Sequence, residues 1–407
     1  TGRPVQTRES HSSSASGSQR GLTTTLAYDH DGRLSQRRTT LSSVTTPLTA
    51  RYSYDEAGRL SEKTLGSTPV SYAYNVRGWI GKIASAPFVS ELRYENPRYG
   101  GAPLYSGMVS QWTWKHGQQP ENDYVFSYDG VGRMVAAKHF VDGARTDGYT
   151  ERGIRYDANG NLLSISRTAG GAVSDSLRFT LGGDVLLDVS GTSTGVFEYD
   201  PSGNLVKDGL NRLEFSYNCL NLMQTVQTTV GASKAQFAYG SDGRKLSEKA
   251  GTGGFEYLGS LIYAYRGGTH SLAQAVTDEG TIQSAGVNYF IRDHLGSVRA
   301  VVDHTGKTVE RNDYYPFGGR HENSALSLSA TNRYTFGGKE SLEQVNLDML
   351  DFGARFYDPR IARWNTQDPL AEKYFSLSPY NYCAGNPITL VDPTGMFMTD
   401  YFNLNWK

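Results

Sequence analysis

The sequence predicts an all-β protein of repeated, curved hairpins, and three observations predict it. A short pattern, Tyr-Asp/Asn-x-x-Gly-Arg/Asn-apolar, recurs along most of the chain. Glycine (46) and tyrosine (27) are abundant while hydrophobic residues make up only 38% of the 407, which favours turns and aromatic-rich strands. Leu-rich helical periodicity is scarce. The charges nearly cancel, 40 Lys and Arg against 41 Asp and Glu for a net −1, so no basic face speaks for nucleic acid. No run approaches the roughly 18 apolar residues that span a bilayer. Cys219 and Cys383 allow at most one bridge, so disulfides are not the framework.

Residues 1–21 are polar and Ser-rich, which suits either a flexible lead-in or a degenerate first hairpin. The chain opens at Thr1 without a basic-then-apolar leader and reads as a piece of a longer protein. From residue 22 to 288 the repeat dominates. Clear copies begin at Tyr28, Tyr54, Tyr128, Tyr156 and Tyr199; a looser one begins at Tyr74, a glycine-less one at Tyr217, and one with an extra residue at Tyr239. Neighbouring tyrosines of unbroken copies lie 18 (Tyr199 to Tyr217) to 28 (Tyr128 to Tyr156) residues apart, a length that suits one hairpin.

The chemistry of the unit explains its composition. An aromatic or apolar residue two positions before each Tyr, such as Tyr52, Phe126, Ile154, Phe197, Phe215 or Phe237, shares one strand face with it. Asp or Asn enters the turn and bonds its own backbone two residues on. Gly three positions later takes the left-handed conformation that closes a type I hairpin turn. Most of these residues are therefore turn and core positions. A ladder of exposed Tyr and Trp that stacks on sugars is the alternative, with Trp112 and Trp114 as its ligand-binding candidates.

Two stretches interrupt the repeat. Residues 91–121 read as a variant pair of strands, and after Ala250 the pattern loosens to Asp293-His294-Leu295-Gly296-Ser297. His294 and His304 fall in successive turns and are expected to be solvated. No His or Cys grouping has the spacing of a metal site, no phosphate loop or nucleophile elbow is present, and no cofactor is implied.

The densest pattern lies in residues 333–396: Arg355-Phe356-Tyr357-Asp358-Pro359, Arg363-Trp364 with Asp368-Pro369, and Asn386-Pro387 leading to Asp392-Pro393-Thr394-Gly395-Met396. In this order the elements resemble the core that closes Rhs/YD-repeat proteins, the shells of bacterial polymorphic toxins and toxin complexes and relatives of the teneurin YD shell. The likeness covers residues 22–396 and is most specific from Tyr289. It implies hairpins that spiral into a partial hollow shell, a closing core over 289–396, and a variable extension beginning at 397–407. An enclosed hollow suits strands that are moderately polar on both faces.

The role that the resemblance implies is to encapsulate and present a C-terminal effector. Its partners are then the chain's own effector domain or that domain's immunity protein, and a component of a secretion apparatus. The place is secreted or at the bacterial cell surface, where glycans are the alternative partner of an adhesin. The residues after Met396 are too few for a toxin domain, so the chain reads as truncated or as an effectorless copy.

Carboxylates are the remaining chemistry. Asp358, Asp368 and Asp392 each precede Pro, and turn capping accounts for all three. The resemblance adds a self-cleaving aspartyl protease that cuts after Met396. In it Asp368 is the catalytic carboxylate and Asp392, or alternatively Asp358, is the second. Two carboxylates sharing a proton activate water against a peptide bond. Ala362 stands where the family often has Gly, Gln367 where cleaving members carry Arg, and Met396 where Leu is usual. These departures, with 397–407 still attached, favour a structural plug.

Overall fold

A computed structural model describes residues 2–12, 19–322 and 332–401. Its 29-stranded antiparallel sheet runs from Gln6–Ser12 to Thr308–Arg311. Pairing passes from each strand to the next in sequence, except that the short Ala144–Arg145 strand lets Met134–Val141 pair onward with Glu151–Tyr156. Gln6–Ser12 pairs with Gln19–Tyr28, so the polar lead-in is a hairpin; residues 13–18 lie outside the described residues. The variant stretch is a strand pair, Val89–Arg93 with Gln111–Lys115. Cys219 is exposed, Cys383 is buried, and both are free thiols. No helix among the described residues is long and apolar enough to cross a membrane.

The repeat makes one turn again and again. Asp29 N–H donates to the Arg33 carbonyl (2.9 Å) and Gly32 N–H to the Asp29 carbonyl (2.9 Å). The Asp29 carboxylate accepts from the N–H groups of Asp31 and Arg33 with one oxygen and from Arg33 Nε with the other. Gly32 has φ 75° and Gly58 φ 76°; in the glycine-less copy Asn221 takes the same place at φ 58°, a conformation that Asn tolerates because its side chain bonds locally. The register slips by one residue just before Tyr28, Tyr54, Tyr74, Tyr128 and Tyr156. Each slip is a bulge, and bulges bend and twist a strand. Repeated down the chain, they coil the sheet.

A latch joins successive turns. Tyr54 Oη donates to the Leu34 carbonyl (2.8 Å) while the Arg33 guanidinium stacks on the Tyr54 ring at 4.9 Å. Tyr74 does the same on Leu60 and Arg59, and Tyr156 on Met134 and Arg133. Tyr28 binds the Pro4 carbonyl under Arg3, so Gly2-Arg3-Pro4 occupies the Gly-Arg-apolar place of a repeat. Asp293-to-Ser297 and Asp303-to-Lys307 are the same turn without the tyrosine, and the strands Gly286–Arg292 and Val298–Asp303 carry the sheet past residue 288 unbroken.

The coil brings late strands against early ones. Tyr52 Oη donates to Glu279 (2.6 Å) and Lys63 pairs with Glu279 at 3.0 Å, both groups buried. Ser260 N–H reaches Glu9, and His116 faces Asp313 at 3.0 Å. Residues 332–401 fill the inside. They dock on a row of repeat turns through Ser378 N–H to the Asn159 carbonyl (2.7 Å), Asn381 to Gly160, Tyr380 Oη to Gly203 (2.7 Å) and Asn386 to Gly132 (3.1 Å). The strand faces toward them are apolar rather than polar: Leu48, Ala50 and Tyr52 are buried while Arg51 and Ser53 are exposed. The inward face is filled by protein, which overturns the expectation of strands polar on both sides.

The turn geometry gives a graded prediction. Valine at Gly58 meets nothing closer than the Arg33 guanidinium at 3.6 Å and strains only the backbone, whereas at Gly160 it also meets Asn381 Nδ2 at 3.2 Å. Gly58→Val is expected to cost about 1–2 kcal/mol and Gly160→Val more, read from urea melts. Equal and negligible shifts contradict the turn assignment.

Candidate functional site

Arg355 leaves the short strand Phe356–Asp358 with its side chain almost wholly buried and organises the end of the core. Its Nη2 lies 2.8 Å from Asp368 Oδ2 and 3.3 Å from Asp392 Oδ2. Nε donates to the Gly395 carbonyl and Nη1 to the Pro379 carbonyl (3.0 Å), and the guanidinium stacks on Trp364 at 4.2 Å. A planar cation with donors on every edge suits such a junction. Asp392 Oδ1 accepts three backbone N–H groups, from Thr394 (3.1 Å), Gly395 (2.7 Å) and Met396 (3.2 Å). The segment before the expected cut is therefore wrapped around one carboxylate and tied to the arginine.

Asp368 and Asp392 meet on this arginine; Asp358 does not. Burial raises the pKa of Asp368 against the pull of Arg355. Asp358 accepts from the N–H groups of Arg360 (2.7 Å) and Ile361 (3.4 Å). Burial, and then the nearby Asp208 carboxylate, push its pKa up to about 7. Asp208, itself raised by burial, is held by Asn211. Ala362 sits at φ 53°, the left-handed region that glycine occupies without strain.

A second buried hub fixes the other side of the core. Arg333 Nη2 meets both Glu248 oxygens at 2.7 Å, its Nε faces Glu340 at 2.8 Å, and Phe255 lies under it at 4.0 Å. Lys245 pairs with Glu340 and Asp351, each at 2.6 Å. Lys245 and Glu248 belong to the sheet strand Lys245–Ala250, Phe255 to the next strand Gly253–Leu258, and the rest to the core, so the hub ties one to the other. Sequence reasoning missed both hubs. The available signal was Arg355 itself, a charge set in an otherwise apolar run.

Two expectations are corrected. Trp112 and Trp114 are 3% and 1% exposed. Arg299 stacks on both, and Trp112 Nε1 donates to Ser90 Oγ (2.8 Å), so neither ring offers a sugar a face. His294 is not solvated: it is buried, its Nε2 faces the Ile388 carbonyl at 3.0 Å, and burial lowers its pKa to about 3. His304 is exposed in its turn, as expected.

A coiled sheet of latched hairpins folded around its own C-terminal segment defines a β-shell protein. The chain belongs to the teneurin YD-shell family, which it matches over residues 105–382. It is 26% identical over 314 residues to double-stranded DNA deaminase toxin A of Burkholderia cenocepacia, covering 67% of this chain and 20% of that protein. It is 31% identical over 112 residues to toxin subunit YenC1 of Yersinia entomophaga, covering 27% and 11%. Its fold is similar to the crystal structure of TcdB2-TccC3 without the hypervariable C-terminal region, with TM-score 0.72 and 18% identity over 92% of this chain and 20% of that one. The chain thus spans a fifth or less of these proteins' lengths.

Asp358 supplies a pH test. Its folded pKa of about 7 lies above the ordinary 3.8, so between those values the folded state holds the extra proton. Its contribution is then most favourable at low pH and is lost as pH rises toward 7. Asp358→Asn keeps the acceptor for Arg360 and Ile361 without the charge. It is expected to raise stability at pH 8 by about 1–3 kcal/mol and to change little near pH 4, measured by urea unfolding. A pH-independent difference contradicts the buried acid.

Proposed function

We propose that this chain is the closing part of a toxin shell, secreted or at the bacterial cell surface, that encloses and presents a C-terminal effector. One observation carries the reading: residues 332–401, which lead to the C-terminal extension, run inside the coil and are pinned there by the buried Arg333 hub and by hydrogen bonds to the repeat turns. Beside them lie two cavities of about 350 and 580 Å3. Both include Asp278 and Arg292, and the smaller reaches Asp392 and Pro393. The lining mixes Lys63, Arg292 and Lys339 with Glu279 and Asp392, which suits solvated or partly unfolded polypeptide better than an apolar ligand. The relatives named as toxins support an effector as cargo. Immunity and secretion partners belong to the same reading.

The test is to restore a C-terminal extension and add protease. An enclosed extension survives doses that digest it when it is expressed alone, and becomes sensitive only where the shell unfolds. Digestion at the free rate with the shell intact overturns the proposal.

Self-cleavage is a second reading, and the placement of residues 394–396 on Asp392 and Arg355 favours it. In this reading Asp368 serves as the acid and Asp392 as the base. Water attacks the Met396 carbonyl carbon, gives its proton to the base, and the acid protonates the carbonyl oxygen. Collapse breaks the C–N bond as Asp392 passes the proton it took from water to the amine of Phe397 and a hydroxyl of the intermediate returns its proton to Asp368. The same three N–H groups and the arginine also suit a carboxylate that only anchors the chain, so the cut is decided by experiment. An active site gives a new N-terminus at Phe397 at neutral pH, abolished by Asp368→Asn; ends at Pro359, Pro369 or Pro393 report acid lability of Asp-Pro bonds instead. An intact extended chain leaves the core as a plug.

A further inference from the structure

After Met396 the chain surfaces at Phe397 and is then held again. Phe397 is 38% exposed and Met396 is only partly covered, yet Tyr401 is 0% exposed. Between them, Thr399–Asp400 pairs antiparallel with Leu390–Val391. Met398 N–H donates to Tyr374 Oη (3.3 Å) and Tyr401 N–H to the Thr389 carbonyl (3.1 Å). The Tyr401 hydroxyl meets that of Tyr94, which also donates to the Ile80 carbonyl at 2.7 Å. Tyr94 is thus one of the latch tyrosines of the sheet, with its position set by the hairpin before it. The Tyr401 ring stands edge-on to His294 at 4.9 Å, and His294 stands edge-on to Trp112 at 4.9 Å.

On the core side of the junction, Arg355 and Asp392 hold Gly395 and Met396. Both flanks of the Met396–Phe397 bond are therefore fixed by contacts that do not pass through it. We propose that Phe397–Tyr401 is a retention anchor that keeps the C-terminal extension docked in the shell whether or not that bond is intact, with Tyr401 as its anchoring residue. The proposal rests on the encapsulating reading and adds what holds the cargo's leading end. Cleavage at the junction then arms release without causing it, and release requires withdrawal of a buried tyrosine from the Tyr94–His294 pocket.

The experiment uses the full chain with a fluorophore joined enzymatically after Lys407, because Cys219 is exposed, and a site-specific protease sequence inserted at the Met396–Phe397 junction. After native nicking, the labelled tail is expected to co-elute with the shell. Tyr401→Ala is expected to speed its dissociation at least about tenfold, the effect of losing a buried aromatic contact. Tyr401→Phe, which keeps the ring on His294 and loses the hydroxyl, falls between. In the uncut chain, hydrogen exchange of the amides at 399–401 is expected to be slow and to accelerate in Tyr401→Ala while the sheet amides stay unchanged. This arm decides the matter where the inserted sequence resists nicking. A wild-type tail that leaves as fast as the alanine variant, or equal exchange in both, overturns the anchor. A tail that leaves a folded, protease-resistant shell refutes the anchor alone, whereas an extension digested before any nick refutes enclosure.

Discussion

The structure depends on one local interaction, the side-chain oxygen of the repeat Asp or Asn gathered onto its own turn. That side chain closes the turn by accepting N–H groups two and four residues on, and in the Asp-Arg copies it also orients the guanidinium. The oriented arginine lies flat on the next repeat's tyrosine, whose hydroxyl reaches back to a strand carbonyl. A turn thereby dictates where its successor sits. With a bulge added at each tyrosine, the direction of curl is inherited down the chain, and a 29-stranded meander closes on itself instead of fanning out flat.

Enclosing a chain poses a different problem from building the wall. Ring contacts such as Phe356 on Phe237 and Tyr380 on Tyr199 join the core to the wall, but such packing tolerates sliding. The buried hub at Arg333, whose members Glu248 and Lys245 belong to the wall, does not; Arg355 ties the end of the core to itself. Removing one partner of a buried pair leaves an uncompensated charge, at a cost of about 3–5 kcal/mol. Sliding the core along the wall would unpair Arg333 from Glu248 and Lys245 from Glu340 and Asp351, so these charges specify position more than they add stability. The same reasoning separates the two carboxylate environments. Asp392 is saturated with donors, while burial and the neighbouring Asp208 push the pKa of Asp358 up to about 7.

Much of this was legible in sequence because turn chemistry is local. The Tyr-Asp-x-x-Gly pattern located the hairpins, their bends and the inward residue two before each tyrosine, and the resemblance placed the closing core. What was not legible depends on residues far apart. The tyrosine latch was hidden because its acceptor is a backbone carbonyl of the previous repeat. Trp112 and Trp114 looked like a surface ladder, but their face of Gln111–Lys115 is covered by Arg299 and His294 from far along the chain and by Tyr124 of the next strand. His294 was misjudged for the same reason: the turn is ordinary, and the core seals it. Of the three carboxylates, the pairing of Asp368 with Asp392 required the arginine between them, which spacing alone did not reveal.

Native-state hydrogen exchange with peptide resolution across the whole chain tests the central claim, that the latched coil encloses its C-terminal core as one cooperative unit. Core amides such as those of Tyr357, Trp364 and Leu390 are expected to exchange only through the opening that also exposes the inner strands, with one shared free energy and one shared dependence on denaturant. Core amides that exchange through a cheaper, separate opening while the hairpins stay protected would contradict it.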